Sequence, residues 1–202
     1  MIVKSFVTND LAANCYVVHS GAEAIVVDPG GESSEIMAYL KEHQLRVIAL
    51  INTHGHADHI GGNAWFAQQT GAPVWIHSLD APYLTDENLN LAPFVGQEFP
   101  SITPARLLND GDEIALGDET ITVVHTPGHT PGGISLYWPG HLITGDTLFR
   151  EGVGRTDLPG GDGSVLRDSL IKLGRLPLDT VVYPGHGEST TIEHEIRMNP
   201  YL

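Results

Sequence analysis

The chain has 202 residues, 25 of them Asp or Glu against 10 Lys or Arg, for a formal net charge of -15. That length suits one domain, 1–202, with a substantial core. The charge argues against nucleic acid or an anionic membrane surface as partner, because both are held by Lys and Arg displacing counterions.

The opening stretch MIVKSFVTNDLAANC is too polar for a secretory signal, and no apolar run approaches membrane-spanning length. A lone cysteine, Cys15, excludes an internal disulfide, and its place in CYVV predicts a buried, inert thiol. A cytoplasmic protein is expected.

CYVVHS and AIVVDPG flank Gly21 and predict a hairpin. Glu32 to His43 predicts a helix, with Ser33 or Ser34 as cap and Ile36, Met37 and Leu40 as its apolar face. VIALIN, 47–52, is apolar throughout, as a strand covered on both faces should be. Residues 61–70 predict a helix stopped by Gly71, and APVWIH a short strand. Residues 78–104 carry Pro82, Pro93, Pro100 and Pro104 and predict a long irregular excursion. Tyr83, Leu91, Phe94, Val95 and Phe99 in it could wall a substrate or meet a subunit. Short strands follow in EIALG, TITVVH, GISLYW and HLITG. Asp162 to Gly174 predicts a helix, TVVYPG a last strand, and 189–197 a closing helix. Hairpins and strand–helix alternation together point to mixed sheets with helices outside.

The polar residues gather where strands stop. VIALIN runs into NTHGHADHIGG, with His54, His56, Asp58 and His59 inside six residues. TITVVH ends at His129, HLITG at Asp146 and TVVYPG at His186, each with glycine or proline alongside for a sharp turn. Rigid strands delivering side chains from loops at one edge is a common way to build a site. Imidazole and carboxylate suit divalent zinc, iron or manganese. One ion cannot easily take four ligands from one short turn, but two can, with His54 and His56 on one and Asp58 and His59 on the other. His129 and His186 then complete one each, and Asp146 can bridge.

A histidine-rich turn alone is more often a surface loop, and the distributed strand ends outweigh that reading. His19, His43, His141 and His194 lie in hairpin, helix or turn contexts and are read as solvated or structural. His125 is read as packed and His77 as structural. Asp28, in VVDPGG, either caps a turn or supports a ligand histidine from behind.

THGHADHIGG, TPGHTPGG, GDTLF and YPGHG, in this order across 53–187, resemble the metallo-beta-lactamase superfamily. The resemblance implies a four-layer αββα sandwich of two mixed sheets, an α+β fold. It implies two divalent ions, zinc first with iron or manganese as alternatives: one on His54, His56 and His129, the other on Asp58, His59 and His186, with Asp146 bridging. Zinc beta-lactamases of the common type carry cysteine where this chain has Asp146, so antibiotic hydrolysis is not expected.

Within that superfamily, GDTLFREGVGRTDLPGGD and the segment after it resemble the short glyoxalase II-type hydrolases, which cleave S-lactoylglutathione and related thioesters. The resemblance implies attack by a metal-bridging hydroxide, with Asp58 also orienting it and Arg155 meeting the glutathione carboxylate. Two departures are Asp157, where that family has an aromatic residue, and the lack of its C-terminal helical domain. A pair with Asp157 or Asp162 is the competing role for Arg155. The rival reading is a persulfide dioxygenase holding one iron on His54, His129 and Asp146; that branch commonly has a cysteine where this chain has Val153.

Overall fold

The computed structural model describes residues 1–95 and 101–202. Strands β1 (Ile2–Val7), β2 (Asn14–Ser20) and β3 (Glu23–Val27) form an antiparallel meander. Gly21 turns the expected hairpin at φ +57, a backbone region open to glycine without penalty. Helix α1 (Ser34–Glu42) is capped by Ser33, whose Oγ accepts the Ile36 N–H at 3.2 Å, and it buries Ile36 and Leu40. Strand β4 (Arg46–Ile51) lies parallel to β3. The short helix α2 (Ala57–Ile60) and α3 (Asn63–Thr70) follow, and Gly71 ends α3 in the left-handed region at φ +71. Strand β5 (Val74–His77) and, later, β6 (Arg106–Leu108) extend the parallel half, giving the order β1-β2-β3-β4-β5-β6.

The excursion at 78–104 is not irregular throughout. A 3-10 turn (Ala81–Leu84), α4 (Glu87–Asn90) and α5 (Ala92–Val95) occupy its described part. Pro82 and Pro93 start these turns, where their missing N–H is not needed, and Asp86 caps α4 by accepting the Asn88 N–H at 2.9 Å. Tyr83 is buried, Phe94 is exposed, and Phe99 and the Val95 side chain lie outside the described residues.

The second sheet begins with β7 (Glu113–Leu116), β8 (Glu119–His125), β9 (Ile134–Trp138) and β10 (His141–Gly145), all antiparallel. A small hairpin, β11 (Leu148–Phe149) and β12 (Gly152–Val153), leads toward α6 (Gly163–Leu173), capped by Asp162. Strand β13 (Val181–Pro184) pairs parallel with β10, and the two-residue β14 (Thr190–Thr191) pairs with β13 before α7 (Ile192–Met198). TVVYPG is therefore not the last strand. β1, β6, β11, β12 and β14 escape the sequence pattern because they are edge strands or short pieces that their partners define.

Period-two alternation sorts the side chains into layers. Cys15, Val17, Ala24 and Val26 pack with Ile36, Leu40 and Phe66 under the helices of the first sheet. Tyr16, Val18, Ile25, Val27 and Ile51 pack against Ile121, Val123, Leu136 and Ile143 between the sheets. Leu142, Leu148 and Val182 pack with Leu166, Leu170 and Ile192 beneath the last helices. Three apolar seams make four layers, αββα. Cys15 is wholly buried, and burial pushes its thiol pKa up, which leaves it inert.

Candidate metal centre

Strands β4, β8, β10 and β13 all end at one edge, and the polar loops meet there. β4 leads through Asn52 and Thr53 to His54, and His56 then caps α2, which carries Asp58 and His59. Between the first two histidines, a Cβ at Gly55 would lie 2.2 Å from Tyr83 Cβ, so only glycine fits the turn. β8 delivers His129, β10 delivers Asp146 and β13 delivers His186. The β10–β13 register slips between Ile143 and Gly145, an irregularity that re-aims Asp146.

Two triads result. Ligand atoms of His54, His56 and His129 lie within 4.8 Å of one another, as do those of Asp58, His59 and His186. Asp146 stands between them, with Oδ1 3.4 Å from His59 Nε2 and Oδ2 3.6 Å from both His129 Nε2 and His186 Nε2. A Cβ at Gly185 would sit 2.0 Å from Asp146 Oδ1, so the backbone next to His186 must be bare for the carboxylate to fit. The seven residues expected as ligands are thus brought to one place.

Their polar atoms are short of partners. His54 Nε2, His56 Nε2 and Asp146 Oδ1 are buried without a hydrogen bond. Such atoms cost roughly 1–3 kcal/mol each when left unpaired. His56 Nδ1 lies 2.9 Å from His129 Nε2, and His59 Nε2 lies 3.2 Å from His186 Nε2. Converging imidazole lone pairs around two carboxylates fit divalent cations.

The rings are aimed from behind. His129 Nδ1 donates to the Arg155 carbonyl at 2.7 Å, which leaves its Nε2 bare toward the triad. His59 Nδ1 is 3.1 Å from Asp28 Oδ2. Asp28 also accepts the Thr53 N–H at 2.7 Å and the Thr53 hydroxyl at 2.6 Å, and that hydroxyl is 3.1 Å from His54 Nδ1. Asp28 therefore caps a turn and supports histidines together, from a backbone at φ +53. It lies within reach of His54 and His59, but its oxygens are already committed to Thr53. The His186 turn is pinned by Asn14, whose Nδ2 donates to the carbonyls of Pro184 and Gly187, each at 2.9 Å. Asn9 Nδ2 holds the Asp58 carbonyl at 2.6 Å. Thr53, Asn9, Asn14 and Asp80 were not singled out by sequence reasoning. Asp80, preceding Ala81-Pro82, carried only the signal of a helix start.

The sequence profile of the metallo-beta-lactamase superfamily matches residues 8–186. The chain belongs to that superfamily. A Haemophilus influenzae protein named hydroxyacylglutathione hydrolase GloC is 35% identical, over 94% of this chain and 92% of its own length. The crystal structure of BLEG-1, described as a B3 metallo-beta-lactamase, is 36% identical with a TM-score of 0.94, over 100% of this chain and 99% of that one. TTHA1623, solved in a di-iron-bound form, is 36% identical with a TM-score of 0.89 over 100% of both chains. The αββα sandwich is thus the superfamily's fold.

In this superfamily site the two triads differ electrically. Burial, reinforced by His59 and His129, holds the His54 pKa well below the imidazole range, and burial with His129 pushes His56 down to about 3. Both are neutral donors at physiological pH. Burial opposes ionisation of Asp58, but His59 and His186 outweigh it and hold the carboxylate below its usual range. Burial likewise opposes a charge on His59, yet Asp58, Asp146 and Asp28 together raise its pKa. Acids that favour a proton there would equally favour a metal cation.

The centre opens on a cleft of about 930 Å³ floored by His56, Asp58, His129, Asp146 and His186. Leu11, Leu91, Phe94, Leu158 and Pro159 give it an apolar wall. Arg155 lines it too, but its Nε and Nη2 donate to the two oxygens of Asp157, both at 2.7 Å. The competing role foreseen for Arg155 is thus realised in the structure. No helix among the described residues is long and apolar enough to cross a membrane.

Proposed function

We propose that the chain is a binuclear metallohydrolase of thioesters, of the hydroxyacylglutathione type, working on a small-molecule substrate. The observation that carries this is the pair of complete triads sharing Asp146 at the floor of one cleft. The 35% identity to GloC supports the substrate class. His54, His56 and His129 would hold one ion and Asp58, His59 and His186 the other. Zinc is the first choice, with iron or manganese as alternatives.

Divalent ions bound there would lower a water's pKa from 15.7 to about 7 and polarise the substrate carbonyl. Asp58, kept ionised by its histidine neighbours, stays an acceptor at neutral pH and can orient the proton of the attacking water. The apolar wall offers a surface for the apolar parts of a substrate. The leaving thiol, with a pKa of about 8.5, departs as thiolate without an acid. Arg155 would receive a substrate carboxylate. Its pair with Asp157 is 63% and 65% exposed, so solvent screens it and a carboxylate ligand can replace it. The net charge of -15 supports a small-molecule substrate over nucleic acid or an anionic membrane surface.

One metal-quantified sample tests this. Loss of S-lactoylglutathione with about two ions per chain is the expected result. Oxygen uptake with glutathione persulfide on one iron would replace it with the dioxygenase reading, in which His54, His129 and Asp146 suffice. Hydrolysis of a β-lactam but of no thioester would move the substrate class and leave the centre in place.

A further inference from the structure

Asp80 belongs to neither triad, yet it is fully buried at 0% exposure a short step behind the first. Its Oδ2 accepts the Gly55 N–H at 3.0 Å and the Thr130 hydroxyl at 2.7 Å, and its Oδ1 accepts the Gly132 N–H at 2.6 Å. Gly55 separates His54 from His56. Thr130 adjoins His129, and Gly132 closes the same turn. One carboxylate therefore grips the turn after β4, in the first sheet, and the turn after β8, in the second.

The bland reading is a helix cap, since Asp80 precedes the 3-10 turn at Ala81–Leu84. The side chain makes no hydrogen bond to that turn. Only its backbone carbonyl serves there, accepting the Tyr83 N–H at 3.0 Å. Neither donor glycine has room for a side chain, and at Gly132 it is Asp80 that fills the space. A Cβ at Gly132 would fall 2.5 Å from Asp80 N and 2.6 Å from Oδ1, and one at Gly55 would strike Tyr83. Burial raises the Asp80 pKa and the three donors oppose that, as expected of a carboxylate held for structural precision.

We propose that Asp80 is the positioning residue of the first triad: by tying the His54–His56 turn to the His129 turn across the two sheets, it sets the separation of those three imidazoles. The second triad has its own braces in Asn9 and Asn14, while Asp28 reaches both triads, directly at His59 and through Thr53 at His54; none of the three shares a hydrogen bond with Asp80. The inference rests on reading the first triad as a metal site, and it predicts that an ion there depends on Asp80 while one in the second triad does not.

The test uses the full chain in two backgrounds, His186→Ala, which leaves the first triad intact, and His56→Ala, which leaves the second. Cobalt(II) binding is followed by equilibrium dialysis and by the visible d–d bands. Asp80→Asn should weaken cobalt binding about 10–100-fold and alter its spectrum in the first background only. Thr130→Val should act in the same direction and Thr130→Ser should restore binding. Should Asp80→Asn fail to fold by near-UV circular dichroism, the Thr130 pair carries the same comparison. Equal losses in both backgrounds, or none in either, would overturn the assignment. An unsubstituted chain that binds no cobalt would instead remove the metal-centre reading on which it stands.

Discussion

The first triad draws His54 and His56 from one sheet and His129 from the other, and all three imidazoles are buried. The second triad includes a carboxylate and leaves the His186 side chain 28% exposed toward the cleft. Burial keeps His54 and His56 neutral, so protons compete weakly for their lone pairs. Carboxylates keep His59 and His186 proton-loving, so there a cation of some kind is favoured and protons compete directly. Neighbouring triads, one of imidazoles alone and one with a carboxylate, thus differ in electrostatic character through desolvation and charge, with Asp146 standing between them.

The severest way to break that contrast is to remove what the triads share. Asp146→Ala should lower metal content at both sites and bring thioester turnover to background, read by metal analysis alongside the rate. Retention of two ions would mean that Asp146 is a neighbour and not a bridge.

A narrower cut separates the triads. Asp28→Ala removes the acceptor behind His59 and, through Thr53, behind His54. It should weaken metal binding about 10–100-fold, more strongly at the second triad, where its contact to the ligand ring is direct. Equal weakening of both sites would show that the path through Thr53 matters as much as the direct contact.

Arg155 tests the contrast from the cleft. Its carbonyl orients His129 whatever the side chain, so Arg155→Ala should leave metal content unchanged. Loss of this exposed, screened contact should raise KM about 2- to 5-fold with a smaller fall in kcat. An unchanged KM would leave Arg155 with only its Asp157 pair.

The smallest effect lies outside both triads. His77, at the end of β5, stacks on His125, at the end of β8, with centroids 4.2 Å apart and planes 6° from parallel. Burial and then His125 push the His77 pKa from 6.5 down to about 4. The unfolded chain therefore takes the proton first, so this contribution is intact above pH 6.5 and is lost as the pH falls toward 4. Denaturant midpoints of the metal-free protein should fall through that window, and His77→Phe, which keeps an aromatic stack without a titrating ring, should flatten the fall. The same slope in both proteins would dismiss His77 as a contributor.

Much of this was legible from residue type and spacing. His54, His56, Asp58 and His59 are close in any folded form of NTHGHADHI, because a short turn and one helical turn cannot separate them. His129, Asp146 and His186 were legible as side chains just beyond apolar strands, and strand ends gather at sheet edges. Hairpins mixed with strand–helix alternation pointed to mixed sheets with helices outside, and the αββα order came from the resemblance to the superfamily. The prolines of 78–104 misled, because proline is as much at home in the first turn of a helix as in a loop.

By itself the sequence determined the candidate donors, the strands that present them and the chemistry those residue types favour, since these are properties of local residue order. Tertiary structure alone decided what holds each donor in place. Asp28 reaches Thr53 across 25 residues and Asp80 reaches Gly132 across 52. Such contacts depend on which strands are neighbours, in what register, and on how two sheets face one another. It likewise decided that Arg155 turns to Asp157, two residues away, because two exposed side chains choose partners by geometry that sequence distance does not specify. A carboxylate's role comes from the hydrogen-bond donors packed around it, and only the closed fold assembles them.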